Sequence, residues 1–311
     1  MLDALSKGFF HLLAGSSALK RLASKYGMRP GGGFARRFIA GETVDEAIMA
    51  ARGIQASGLS ITLDYLGESV ASAGEADAAT RAYVGVIQQI AASGVDRNIS
   101  LKLTQLGLTI DRATSVDNLR RILDAAKTHD FFVRIDMENS PFTAVTLDVF
   151  ETMWQQGYRN VGVVLQSYLP RSDADAARMN ALGARVRLVK GAYNEPRDVA
   201  YPTKEEVDAA FVRIMRLLLA GGRYPAIATH DPAMIAATTA FAAERGVDPS
   251  RFEFQMLYGI RRDLQKSLRE QGYGVRVYVP FGREWFPYFM RRLGERPANI
   301  GFVIRGVLSE R

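Results

Sequence analysis

The stretch Val186–Tyr193, VRLVKGAY, closes a β-branched apolar run with two cations, Arg187 and Lys190, and follows them with Gly191 and Tyr193. Two chemistries use such residues. A lysine at a strand end, held near other cations, can have a lowered pKa and attack a carbonyl to form a Schiff base, which makes Lys190 the nucleophile of an aldolase. Alternatively, Arg187, Lys190 and His230 can surround the phosphates and the electron-accepting end of a flavin, where positive charge stabilises the reduced anionic ring. Near the other end of the chain, Tyr288, Arg291 and Arg292 fall within about one helical turn and can approach one edge of a site together. Paired guanidiniums suit a carboxylate, which they grip through several charge-assisted hydrogen bonds. An isolated Arg-Arg pair is more often a solvated face, so its company determines its reading.

These residues need elements to position them. Eight short apolar runs, many of them β-branched, recur along the chain: Leu59–Leu66, Ile99–Leu108, Phe131–Glu138, Val161–Tyr168, Val186–Tyr193, Pro225–His230, Phe252–Tyr258 and Val275–Pro280. Between them lie segments such as Asp117–Thr128 and Val207–Ala220, whose apolar residues mark one helical face. Alternating strand and helix implies a parallel sheet, because parallel strands need a crossover. Eight units predict an α/β fold closed as a (β/α)8 barrel rather than an open sheet with exposed edges. Barrel sites sit at the carboxyl ends of the strands. Those ends carry Glu68, Lys102, Asp136, Gln166, Arg187, Lys190, Tyr193, Thr229, His230, Gln255 and Tyr278. Ionised groups in apolar strands are costly to bury unless paired or engaged with a ligand, so a full ring of them reads as a site.

One barrel commonly fills a chain of 311 residues. Residues 1–57 hold two helical patterns, Asp3–Tyr26 and Val44–Ala56, separated by the turn-forming Arg29-Pro30-Gly31-Gly32-Gly33. They are expected to form a helical arm packed beneath or beside a catalytic barrel of residues 58–311. Cysteine is absent, which removes disulfides, thiolate nucleophiles and the usual structural zinc sites. His11, His129 and His230 are too few and too widely spaced to suggest a metal. Gly8–Gly15 after Lys7 has the look of a weak signal-peptide core, but no small-residue cleavage site follows, so it reads as an amphipathic helix. No run reaches the roughly 18 apolar residues of a membrane span. The net charge of +7 is scattered, with pairs at Arg36-Arg37, Arg120-Arg121, Arg261-Arg262 and Arg291-Arg292. This argues against nucleic acid and leaves room for reversible contact with an anionic membrane. No Walker sequence or GxGxxG fingerprint is present, so a nucleotide cofactor would bind through barrel side chains and helix N-termini.

Taken together, VRLVKGAY, FEFQMLYG, VRVYVPFG and YFMRRL, with SLKLTQLGL and RIDME upstream, resemble the proline dehydrogenases, from about Leu59 to Leu308 and in the same order. The resemblance implies a distorted (β/α)8 barrel with FAD on its carboxyl face. It also implies oxidation of L-proline to Δ1-pyrroline-5-carboxylate, with electrons passed to a membrane quinone. It suggests a cytoplasmic enzyme with peripheral contact at the inner membrane. By motif position, Arg291, Arg292 and Lys102 bind the substrate carboxylate, while Tyr278, Tyr288 and Leu257 line the pyrrolidine ring. Asp136 orients Lys102 or a neighbouring tyrosine. Arg187 lies beside the reactive flavin nitrogen, with Lys190, Gly191 and Tyr193 around it. Gln166, Thr229, His230 and Gln255 bind the isoalloxazine, ribityl and phosphate portions, Thr203 and Lys204 the adenosine end, and Glu295 the ribose or the helix itself.

The implied reaction is transfer of the C5 hydrogen of proline to flavin N5 as a hydride. No histidine stands in the expected proline pocket, so the amine proton goes to water or is lost on binding, and kcat/KM is expected to rise with pH. Glu68 resembles the family carboxylate that pairs with Arg291 to close the site, although a helix cap or solvated glutamate reads equally well from sequence. Pro287 places the start of the last helix near itself, since proline is tolerated in a first turn.

Overall fold

Apolar runs buried on both faces become the strands of a closed parallel barrel, ordered β1 to β8 around the ring. The computed structural model describes residues 27–29 and 33–295. The helical pattern expected over Asp3–Tyr26 lies outside the described residues, as do Pro30, Gly31, Gly32 and the chain beyond Glu295. The strands are β1 (Ser60–Tyr65), β2 (Asn98–Leu101), β3 (Phe132–Ile135), β4 (Val161–Gln166), β5 (Arg185–Val189), β6 (Ala226–Ala228), β7 (Glu253–Leu257) and β8 (Gly274–Phe281). Each coincides with an expected run. The run Ile99–Leu108 is the longest departure: its strand ends at Leu101, and a 3-10 turn over Thr104–Leu106 takes up the rest. Glu138 causes this break, because its carboxylate accepts from both the Thr104 amide (3.2 Å) and the Thr104 hydroxyl (2.6 Å).

Helix α1 (Val44–Gln55) precedes the barrel and starts at a capping box of Thr43 and Glu46. Its Ala47, Ile48 and Ala51 are buried in the same apolar core as the strands. The crossovers are α2 (Ala73–Ser93), α3 (Arg112–Thr128), α4 (Ser140–Gln155), α5 (Ser172–Leu182), α6 (Lys204–Gly221), α7 (Pro232–Glu244) and α8 (Arg262–Glu270). The last helix, α9 (Trp285–Glu295), carries Pro287 in its first turn. An aromatic cluster holds it: Phe34 meets Phe289 with ring centroids 5.3 Å apart, and Trp285 meets Phe289 edge-on at 5.8 Å.

Parallel register puts polar residues in neighbouring strands side by side, pointing inward. Asp64 stands beside Ser100, Ser100 beside Arg134, Gln255 beside Arg276, and Thr62 beside Tyr278. The amino end of the barrel is sealed by ions that satisfy one another. Arg276 grips both oxygens of Glu253 (2.9 and 3.1 Å) and donates to the Ile61 carbonyl (2.7 Å). Arg134 donates to the carbonyls of Val163 (3.0 Å) and Arg185 (2.5 Å). It crosses Gly162, where a Cβ would sit 2.7 Å from its Nη1. The guanidiniums of Arg134 and Arg185 lie 4.8 and 4.2 Å from the centroid of the Phe132 ring.

Candidate active site

At the carboxyl end the same inward alternation builds a cluster from six of the eight strands. Lys102, just past β2, stands 3.5 Å from Asp64 Oδ2 and 3.4 Å from Asp136 Oδ2. The Tyr278 hydroxyl of β8 lies 2.5 Å from Asp64 Oδ2 and 2.8 Å from Asp136 Oδ2. Arg187 of β5 donates to Asp136 Oδ1 (2.6 Å), Gln255 Oε1 (2.5 Å) and Ser100 Oγ (3.1 Å), with its guanidinium carbon 5.3 Å from the Tyr278 ring centroid. Asp136 therefore meets both Lys102 and a tyrosine, as expected, and also Arg187. Gln255 in turn donates to Glu253 (2.6 Å), so an unbroken chain of polar contacts joins the sealed floor to the open mouth.

Electrostatics follow from burial and charge. Burial alone would lower the Lys102 ammonium, but Asp64 and Asp136 more than offset it and hold its pKa above the ordinary lysine value. Burial, with Asp136 and Asp64 nearby, pushes the Tyr278 hydroxyl well up. Burial likewise raises the Glu138 carboxyl, against the lowering effect of its bonds from Thr104 and of Lys102.

The rim of the mouth comes from loops and α9. Arg291 donates to Glu68 Oε1 at 2.8 Å, and its guanidinium sits 5.9 Å from the Tyr193 ring centroid. Burial disfavours charge on Arg291, yet Glu68 and Tyr193 carry its pKa above the usual arginine value. Burial pushes the Tyr193 hydroxyl up to about 12, opposed by Arg291 and Lys102. Arg292 lies 5.1 Å from the Tyr288 ring centroid, and the buried Tyr288 packs in the same cluster as Tyr278. The loop carrying Glu68 is pinned by Thr104, whose Oγ1 accepts from the Ser69 amide (3.1 Å).

A second group lies along the β5 to β7 side. Lys190 donates to Asp231 (2.6 Å) and to Asp208, and Lys204 pairs with Asp208. Asp231 caps α7, and its amide donates to Thr229 Oγ1 (3.0 Å). Thr203 caps α6 through a capping box with Glu206. His230 Nε2 accepts from the Leu257 amide at 2.9 Å. Gln166 is buried with no partner for its Oε1 among the described residues. Gly191 has φ of 120°, and a Cβ there would lie 2.5 Å from the Tyr168 ring, so glycine is required. Lys190 is engaged as a donor to two carboxylates, which does not suit a Schiff-base nucleophile needing a free lone pair.

The residues expected at the strand ends thus fall in two groups, linked where the Thr229 amide donates to the Gln255 carbonyl (3.2 Å). The side chain of Glu295 lies outside the described residues. Sequence reasoning passed over Asp64, Glu138, Thr104, Asp208 and Asp231. Asp64 carried a legible signal: an aspartate inside the run Leu59–Leu66, two residues after Thr62, marks the inward face of a strand. Asp231 caps a helix and reads as ordinary capping, and Asp208, in the second turn of α6, reads as a surface carboxylate of that helix.

The fold and site define a parallel α/β barrel with bonded cations and carboxylates clustered at the carboxyl ends of its strands, where barrel enzymes carry their chemistry. Residues 47–305 match the family model described as proline dehydrogenase. The chain is 43% identical over 301 residues to proline dehydrogenase 1 of Bacillus subtilis, covering 97% of this chain and 98% of that protein. It is 42% identical over 279 residues to the proline dehydrogenase of Deinococcus radiodurans, covering 88% and 90%. Among solved structures, proline utilization A from Bdellovibrio bacteriovorus inactivated by N-propargylglycine superimposes with a TM-score of 0.79 at 28% identity. That match covers 84% of this chain and 32% of that one. The chain belongs to the proline dehydrogenase family. It is an enzyme of proline catabolism that oxidises proline, and the family is one of flavoenzymes.

Proposed function

We propose that this enzyme holds FAD and L-proline side by side on the carboxyl face of the barrel and forms Δ1-pyrroline-5-carboxylate, electrons leaving afterwards to a membrane quinone. The observation that carries the reading is the convergence of Lys102, Asp136, Arg187 and Tyr278 from four separate elements onto one polar cluster. The second group suits a dinucleotide flavin: the unpartnered Gln166 Oε1 calls for a donor, Gly191 leaves room where any side chain would intrude, and Lys190, Lys204 and the amino end of α6 favour phosphate. When bound, FAD would supply the acceptor for the hydride that leaves the proline ring.

The residues divide the work. Lys102, Arg291 and Arg292 fix the substrate carboxylate, so that one face of the ring is presented in a single orientation. Tyr278, Tyr288 and Leu257 enclose the pyrrolidine and exclude water. Asp136 holds Lys102 and Arg187 at a fixed separation, and so sets the distance between substrate anchor and cofactor. Arg187, Thr229, His230, Gln255, Tyr193, Thr203 and Glu295 complete the cofactor pocket. The Glu68–Arg291 pair acts as a gate over bound proline. The neutral amine must donate its lone pair as the C–N bond gains double-bond character. Among the described histidines, His230 is occupied with the Leu257 amide and His129 ends α3, so the proton is lost to water and kcat/KM rises with pH. Residues 58–311 are assigned as the catalytic unit and residues 1–57 as an arm to it, whose described helix α1 is buried in the same core as the strands. No described helix is long and apolar enough to cross a membrane, and the quinone is reached by peripheral contact at the cytoplasmic face of the inner membrane.

The inactivator in the related structure, N-propargylglycine, is an amino acid with a secondary amine, the same pairing of functional groups as proline. An anaerobic titration with L-proline tests the reading: the bound flavin should bleach stoichiometrically. A protein with flavin that stays oxidised defeats it.

A further inference from the structure

Two carboxylates, one of them fully buried, share one phenol, and the proton count does not close. The Tyr278 hydroxyl oxygen lies within hydrogen-bond distance of Oδ2 of both Asp64 and Asp136. A phenol carries one proton and can donate to one acceptor only. The other contact would set a lone pair of the phenol against a carboxylate lone pair in a buried site, unless that carboxyl brings its own proton. The two carboxyls are not equivalent. Lys102 stands at nearly equal distance from Oδ2 of both (3.5 and 3.4 Å), but Asp136 alone also takes a charge-assisted bond from Arg187, on its Oδ1. Asp64 is 1% exposed, and its Oδ1 has no partner among the described residues.

We infer that Asp64 holds a proton at neutral pH, donating it from Oδ2 to the Tyr278 oxygen while Tyr278 donates to Asp136, and that this arrangement positions Tyr278 and leaves Lys102 with net charge for the substrate carboxylate. The inference deepens the proposed substrate site and rests on Lys102 as its anchor. The groups facing Asp64 are Lys102 from the turn after β2, Asp136 from the turn after β3 and Tyr278 from β8. Tyr83 of α2 lies next outward, and Arg187 faces Asp136 from the far side. Burial raises the Asp64 carboxyl above its ordinary range, Lys102 pulls the other way, and Asp136 raises it again. With Asp136 paired to Arg187, a neutral Asp64 leaves the charge of Lys102 uncompensated, whereas an ionised Asp64 would cancel it and weaken its hold on the incoming carboxylate. Asp64 is thus a positioning residue that acts through Tyr278 and Lys102.

The test uses the flavin-loaded enzyme and a readout independent of turnover. Infrared spectra at neutral pH should contain a carbonyl band from a buried, protonated carboxyl that disappears in Asp64→Asn. Glu138 is also buried, and any acid band from it stays in place. In Tyr278→Phe the Asp64 band should shift, because the acid has lost its acceptor. The KM for proline should rise by no more than about threefold in Asp64→Asn, whose amide NH2 can replace the acid donor, and by about tenfold or more in Asp64→Ala. A spectrum in which no acid band is lost in Asp64→Asn, or in which none moves in Tyr278→Phe, overturns the proton assignment. A KM for Asp64→Asn as poor as that for Asp64→Ala overturns it as well. If flavin bleaching by proline fails while the infrared result stands, the fault lies in the assignment of substrate, not of the proton.

Discussion

The two ends of the barrel hold similar ions and use them differently. At the floor, Arg276 and Glu253 satisfy each other in a bidentate pair, and Arg134 ends on two backbone carbonyls. The floor atoms left over, Nε of Arg134 and of Arg185, are donors, and their guanidiniums lie near the faces of Phe132 and Tyr224. On the strands at the mouth the leftovers among the described residues are acceptors, Asp64 Oδ1 of β1 and Gln166 Oε1 of β4. Buried charge alone therefore does not mark a site. What separates the two ends is the kind of hydrogen-bonding capacity left unused, closed at the floor and open at the mouth.

The contrast can be broken at its strongest point by substitution. Replacing Lys102 with Met removes one partner of a buried charged cluster, a change of about 2–5 kcal/mol in comparable sites. With each 1.4 kcal/mol worth about tenfold, proline KM should rise by roughly two orders of magnitude, with the melting temperature changed far less. Arg276→Met should do the reverse. Leaving Glu253 buried without its partner should cost about 3–5 kcal/mol of stability, read in denaturant titration, while proline KM stays within about twofold. A large KM effect from Arg276→Met would show that the contact chain through Gln255 makes floor and mouth one unit.

Acid and base should also pull the two ends apart. Arg276 more than compensates the burial of Glu253 and depresses its pKa, so its stabilisation is present above the ordinary carboxyl value and is lost as pH falls through the folded value. The Asp64 pKa is raised, so its contribution is present below the ordinary value and is lost as pH rises through the folded one. Asp64→Asn should therefore gain stability relative to wild type on the alkaline side, and Glu253→Gln should flatten the acid limb of the wild-type stability curve. Circular dichroism melts across pH measure both.

The smallest expected effect is at the rim. Glu68 is 27% exposed, so its bond to Arg291 is partly screened. Glu68→Ala should raise proline KM by about fivefold or less, the equivalent of about 1 kcal/mol. Unchanged KM and kcat would remove the gate.

Much of this was legible in the chain. The strands could be read because runs of Val, Ile and Leu buried on both faces are hard to mistake once they recur with helices between them. The site was legible as a ring because Lys102, Asp136, Arg187 and Tyr278 each interrupt or end such a run. Pairing was not: Arg187 read as a cofactor residue, yet its shortest charged contact is with Asp136, 51 positions away, which only the register of β3, β4 and β5 determines. Asp64 was overshadowed by Glu68, because the rule that sites sit at strand ends drew attention past the strand's own inward face. The 3-10 turn at Thr104–Leu106 was hidden for the same reason, its cause being Glu138 on another unit.

The ion-filled axis also limits how this barrel can move. Sliding any strand by one residue would turn Asp64, Arg134 or Arg187 into the apolar layer under the helices and bring Leu63, Ile135 or Leu188 into the polar axis. The cylinder is therefore locked against shear, and on the proposed reading opening for substrate falls to the parts attached beyond the strands: the Glu68 loop, the segment after Gly191 and α9. Rigid staves with such a lid would let the entrance breathe while the distance from the proposed substrate anchor to the proposed cofactor pocket stays fixed.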